Sequence, residues 1–194
     1  MRQVILDVET KKTFDEVGGY FPDRLGISFV GVCIREGLGG KGEMKGFFEK
    51  DLPDLFPLLE SADVIIGFNC DSFDMQTFVP YYQADLARIP TLDIMLRIKD
   101  SVGHRIGLNA VATETLGVGK SGDGLDAIKY FKHQQWDELS KYCLQDVAVT
   151  RDVYDYGLKN GKVKFKNKWN RLIECPVDFT FTPKKDAGVQ MSLL

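Results

Sequence analysis

Apolar positions along this chain recur at two spacings. From Val4 the sequence reads Val-Ile-Leu-Asp-Val-Glu-Thr10, a run of strand-favouring residues interrupted by two acids at alternate positions. Ile27 to Ile34 is nearly all apolar and predicts a strand buried on both faces. Met44 to Glu49 predicts the strand that returns from it across a Gly37–Gly42 turn. Asp63 to Gly67 and Ile89 to Leu92 predict two short strands. Helical spacing covers 51–60, with Leu55, Leu58 and Leu59 on one face and Pro57 as an irregularity. It covers Asp74 to about Tyr82, Asp93 to Lys99, and Leu108 to Leu116, which Gly117 ends. The longest pattern runs from Gln135 to about Tyr156, with Trp136, Leu139, Cys143, Val147 and Tyr154 near one stripe. Lys11 to Leu25 and the glycine-rich Gly117 to Gly124 predict loops, and Lys162 to Trp169 predicts a strand with one basic face. Strands in a hairpin followed by strands alternating with helices predict an α/β domain with a mixed central sheet flanked by helices. That domain spans 1–175, and the aperiodic 176–194 predicts a flexible tail.

In a strand Asp7 and Glu9 point to the same side, while Leu6 and Val8 point to the other. Two acids side by side in an otherwise apolar strand repel each other and resist desolvation. A divalent cation removes both penalties; an exposed strand end with two solvated acids avoids them. Further acids decide between the two. Asp74 follows the strand over 63–67 across a short connection, with Asp71 as its rival, and parallel strands place ligands outside their carboxyl ends. Tyr142 and Asp146 are four apart in the last long helix and share a face.

Asp7-Val-Glu9, Asn69-Cys-Asp-Ser-Phe73-Asp74 and Tyr142-Cys-Leu-Gln-Asp146 together resemble the three motifs of the DEDD superfamily of 3′–5′ exonucleases, which has a ribonuclease H-like fold. Their order, separation and strand or helix context fit, and they span most of the chain. The histidine subclass needs a His five residues before Asp146, where this chain has Lys141; Tyr142 suits the tyrosine subclass. The resemblance implies that Asp74 rather than Asp71 is the third acid. It implies a two-metal 3′–5′ exonuclease that acts on single-stranded 3′ ends and releases nucleoside 5′-monophosphates. Four carboxylates carry a formal charge that two divalent cations balance, and oxygen-only ligands favour Mg²⁺ or Mn²⁺. Such a pair, roughly 3.5–4 Å apart, clamps the attacking and leaving oxygens at phosphorus. Tyr142, a weak base at a pKa of about 10, is suited to orient the attacking water. Asn69 either contacts the terminal nucleotide or holds its loop, and Phe73 either packs in the core or stacks on a base.

Charge adds a second surface. The net charge of −3 argues against a polyanionic partner, yet six basic residues and no acid lie between Leu158 and Leu172, which leaves −9 for the remainder. Lys162, Lys164, Lys166 and Lys168 therefore form either a phosphate track or a solvated strand face that guards a sheet edge. At the end of the chain, Gln190-Met-Ser-Leu193-Leu194 is similar to the short sequence by which bacterial replication and repair proteins dock on the sliding clamp; the other explanation is a frayed tail. This similarity favours DNA over RNA as substrate. The rivals are an RNA 3′–5′ exonuclease of the same superfamily and an inactive nucleic-acid-binding module. Four dispersed cysteines form no C-x-x-C pair, no apolar run is long enough to cross a bilayer, and Asp7 interrupts the one signal-like stretch, so the expected location is the cytoplasm.

Overall fold

A computed structural model of the chain describes residues 1–118 and 124–182. Its central strand is β1 (Arg2–Thr10), flanked on one side by antiparallel β2 (Ile27–Glu36), which carries antiparallel β3 (Glu43–Phe48). On the other side β4 (Val64–Gly67) and then β5 (Thr91–Asp93) run parallel to β1. The resulting order β3-β2-β1-β4-β5 is a mixed sheet, as the alternation of strands and helices predicts.

Alternate residues of β1 feed two cores. Val4, Leu6 and Val8 pack with Leu52, Leu55 and Leu59 of α1 (Leu52–Glu60), which continues through Pro57. Ile5 packs on the opposite side with Val147 and Val153 of α6 (Trp136–Asn160). The same core takes in α3 (Ile94–Val102) through Ile94 and Ile98, and α4 (Leu108–Leu116) through Val111 and Ala112. Helix α6 can lie close because β2 has Gly31 opposite Asp7; a Cβ there would stand 3.0 Å from Cys143 Sγ and from Val147 Cγ2. Cys143 meets Asp7 and Tyr154 meets Gln3, so α6 runs antiparallel to β1.

Several elements differ from the sequence expectations. The helix expected from Asp74 to Tyr82 is only α2 (Asp74–Thr77), followed by turns. Part of the loop expected over 117–124 and the stretch after it is α5 (Gly124–Lys132), whose Ala127 is buried against Leu139 and Tyr142 of α6. This nine-residue helix begins inside the glycine-rich stretch, which reads as loop and hides its start. The basic strand is shorter than expected, β6 (Lys162–Lys166), because the Asn167 side chain accepts from the Trp169 and Arg171 N–H groups and turns the chain into β7 (Leu172–Pro176). These two strands form a separate two-stranded sheet. Beyond Cys175 the chain continues onto the core: Val177 N–H donates to Gly161, and Phe179 is buried with its ring stacked 6.0 Å from Tyr154.

Candidate active site

Asp7 and Glu9 face α6 near the carboxyl end of β1. Their carboxylates and Cys143 Sγ lie within 4.8 Å of one another. The Cys143 thiol donates to Asp7, 3.4 Å from its carbonyl oxygen and 3.5 Å from Oδ2. Burial pushes that thiol well up, and the charges of Asp7 and Glu9 push it further, so it stays protonated beside them. Asp146 follows one helical turn after Cys143 and is buried, as is Tyr142, whose ring lies 6.3 Å from Tyr130. The packing that seats Cys143 against Gly31 also brings Tyr142 into the cluster with Phe29, the residue opposite Glu9.

Asp74 arrives from the opposite edge. Its Oδ1 accepts from the Val8 N–H at 2.9 Å, between the two β1 acids, whereas Asp71 contacts the Cys70 thiol. Burial pushes the Asp74 carboxyl well above the ordinary carboxylate range, and the Asp7 charge adds to this against the pull of backbone N–H bonds. Asp7 and Glu9 gather with Cys143 in a group that could hold a metal ion, and the buried Asp74 carboxyl lies near the Asp7 charge; carboxylate oxygens are the donors that hard divalent cations prefer.

The connection that delivers Asp74 is held by a residue whose full role the sequence hid. Asp93 reads as a helix N-cap, and it does accept from the Leu96 N–H at 3.2 Å. It also accepts from the Asn69 and Asp71 N–H groups at 2.9 and 3.1 Å. A second acidic group, Cys70 with Asp71 and Asp93, is explained by these caps. Asn69 has φ 70°, in the left-handed region, and its buried Oδ1 has no hydrogen-bond partner among the described residues. Phe73 lines a cavity of about 240 Å³ with Thr10, Thr13, Phe14 and Leu125, and its ring stands edge-on to Phe14 at 6.0 Å.

The lysines occupy the hairpin that packs on α4. Lys162 and Lys164 face Glu174 at 2.8 and 3.8 Å, and Lys166 faces Glu114 at 2.9 Å. Lys168 sits over the Trp169 ring at 4.5 Å. Acids absent from the sequence run itself therefore meet it from β7 and α4. Gln190, Leu193 and Leu194 lie outside the described residues.

A mixed sheet with two acids on its central strand, a third entering at the carboxyl ends of the parallel strands and a fourth on the covering helix defines an α/β protein of ribonuclease H-like architecture. A family model described as the RNase_H superfamily matches residues 4–157, and the chain belongs to that superfamily. Among solved structures it is similar to the family B DNA polymerase of the hyperthermophilic archaeon Pyrobaculum calidifontis, with a TM-score of 0.62 at 18% identity over 81% of this chain. The match covers 24% of the polymerase chain, so it speaks for the fold. No curated protein matches.

Proposed function

We propose that this protein is a divalent-metal-dependent 3′–5′ exonuclease that hydrolyses the terminal phosphodiester bond of single-stranded DNA and releases nucleoside 5′-monophosphates. Membership of the RNase_H superfamily suggests a nuclease. One observation carries the reading further: Asp74 is buried against Val8 with its carboxyl next to Asp7, an arrangement costly without a cation.

Asp7, Glu9, Asp74 and Asp146 would hold two Mg²⁺ or Mn²⁺ ions, which supply Lewis-acid stabilisation at the phosphoryl oxygens and ease the deprotonation of water. Tyr142 belongs to the tyrosine subclass in this reading, and its hydroxyl orients the attacking water rather than removing its proton. Asn69 offers an amide oxygen to the terminal nucleotide from a loop pinned by Asp93. Phe73 and Phe14 offer ring edges and faces to the terminal base. The lysine hairpin contributes phosphate contacts, and residues 190–194 dock on a sliding clamp, which places the activity in DNA repair or proofreading.

The test is a labelled-end assay. Single-stranded DNA and RNA carrying a 5′ label are incubated with Mg²⁺, with Mn²⁺ or with chelator. The expected result is a ladder shortening from the 3′ end of DNA, absent with chelator. Internal cuts, or metal-independent cleavage, would overturn the proposal, and preference for RNA would replace the substrate.

A further inference from the structure

One cavity is separate from the acids and unexplained by them. It has a volume of about 410 Å³ and is lined by Lys11, Ser28, Phe48, Glu49, Lys50, Phe131 and Trp136. That size falls inside the roughly 300–1,000 Å³ of small-ligand sites. We propose that this cavity is a second base-binding subsite, which takes one unpaired nucleobase of the single-stranded DNA substrate beside Trp136 with an adjoining phosphate at Lys50. The proposal rests on the exonuclease reading and names a subsite that reading does not require.

Four observations point to this occupant. Three aromatic rings from three elements converge: Phe48 at the end of β3, Phe131 in α5 and Trp136 at the start of α6. Trp136 stands edge-on to Phe48 at 6.0 Å and to Phe131 at 5.8 Å, yet remains 42% exposed, so part of its surface is open to a ligand. A base brings a π-face to such a wall whatever its identity.

Ser28, a lining residue, carries a buried hydroxyl without a partner among the described residues. Between the Glu9–Phe29 and Thr10–Ile27 pairs the register of β1 and β2 slips by one residue, and Ser28 is the extra one. A bulge re-aims the side chain it leaves over, and bulges are enriched beside active sites. Ser28 is 2% exposed, and its Oγ has no hydrogen-bond partner among the described residues. An orphaned hydroxyl on a lining residue is a hydrogen-bonding position for the edge of a base.

The charges are arranged for one phosphate. Lys11 is paired with Glu49, which also accepts from the Tyr81 hydroxyl at 2.7 Å, so this wall is fixed and locally neutral. Lys50 is exposed and pairs with no acid among the described residues.

Finally, the cavity adjoins the candidate active site. Lys11 directly follows β1, two residues after Glu9, and its N–H donates to the Gly26 carbonyl beside β2. Phe29, opposite Glu9, touches Phe48 at 5.0 Å and packs in the cluster that holds Tyr142.

The experiment uses the full chain carrying Trp169→Phe, which leaves Trp136 as the only tryptophan, and Asp7→Asn to prevent cleavage. Its fluorescence is followed during titration with oligothymidylates of increasing length and with inorganic polyphosphate. Quenching by the oligothymidylate and not by polyphosphate is expected, with affinity that rises when the strand becomes long enough to span both sites. Trp136→Ala should weaken oligonucleotide binding by roughly 5- to 150-fold, the range for loss of one base stack. Because Ser28 Oγ has no partner to lose, Ser28→Ala should keep the melting temperature while weakening binding about threefold, a typical hydrogen-bond effect. Unchanged binding in Ser28→Ala together with unquenched Trp136 would overturn the subsite even in a chain that shortens DNA normally. Equal quenching by polyphosphate, or by free thymidine monophosphate at the affinity of the long strand, would also overturn it. A wild-type chain that neither binds nor cleaves single-stranded DNA would instead remove the exonuclease reading on which it rests.

Discussion

Asp74 is the residue at which protonation, stability and activity are most closely linked. Burial and the Asp7 charge raise its folded pKa, while the unfolded chain releases that proton at about pH 3.9. Between those values the folded state holds more protons than the unfolded state, so metal-free stability falls as pH rises through the window. Asp74→Asn keeps an acceptor for the Val8 N–H and loses the charge. Thermal melts in chelator should therefore show the variant gaining on the wild type as pH climbs above the normal carboxylate range, while its cleavage activity is lost. Asp7→Asn and Asp146→Asn are expected to abolish metal-dependent nucleotide release with melting temperatures near the wild type. A collapse of the melting temperature would mean that these acids hold the fold.

Two elements position the site through contacts that side-chain chemistry alone does not reveal. Gly67 ends β4, and a Cβ there would overlap Cys70, whose backbone belongs to the loop carrying Asn69 and Asp74. Gly67→Ala must displace that loop, and it should lower metal-dependent cleavage at least tenfold with a stability loss of about 1–3 kcal/mol, the usual range for overpacking. Melting and initial rates on one preparation would test both. Helix α6 is tied to the sheet at its other end by Arg35 of β2, whose guanidinium makes bonds of 2.8 and 2.6 Å to Asp155 and one of 2.7 Å to Gln3. The Asp155 hydrogen bond holds the Arg35 charge in place against burial. Asp155→Ala leaves that cation buried without its partner, and urea titration should show a loss of roughly 3 kcal/mol.

Over the whole molecule, charge is more evenly distributed than the sequence order implies. Glu174 and Glu114 meet Lys162, Lys164 and Lys166, whereas Lys168 and Arg171 pair with no acid among the described residues. If the hairpin tracks phosphate, the two unpaired cations carry more of the binding, because a phosphate need not displace a carboxylate there. Neutralising Lys168 and Arg171 should flatten the salt dependence of single-strand binding, by about 0.7 in log–log slope for each phosphate no longer neutralised, and by more than Lys162→Gln with Lys164→Gln. Equal slopes for all variants would assign the hairpin a structural role.

The alternation of Val4 to Thr10, the apolar run from Ile27 and the long stripe from Trp136 were sufficient to define the class of fold, because strand and helix periods are local properties. Asp7 and Glu9 stood out as exceptions to those patterns and Asp146 by its spacing from Tyr142, whereas Asp74 was chosen over Asp71 only by resemblance to a known family. Helix α5 and strand β7 were not, since α5 starts within a glycine-rich stretch that reads as loop and β7 takes its pairing from β6. Nor could the sequence show that Asp93 gathers three backbone N–H groups, that Ser28 is left over at a bulge, or that Glu174 faces the lysines. Those facts arise only when register and packing bring residues far apart in the chain within a few ångströms.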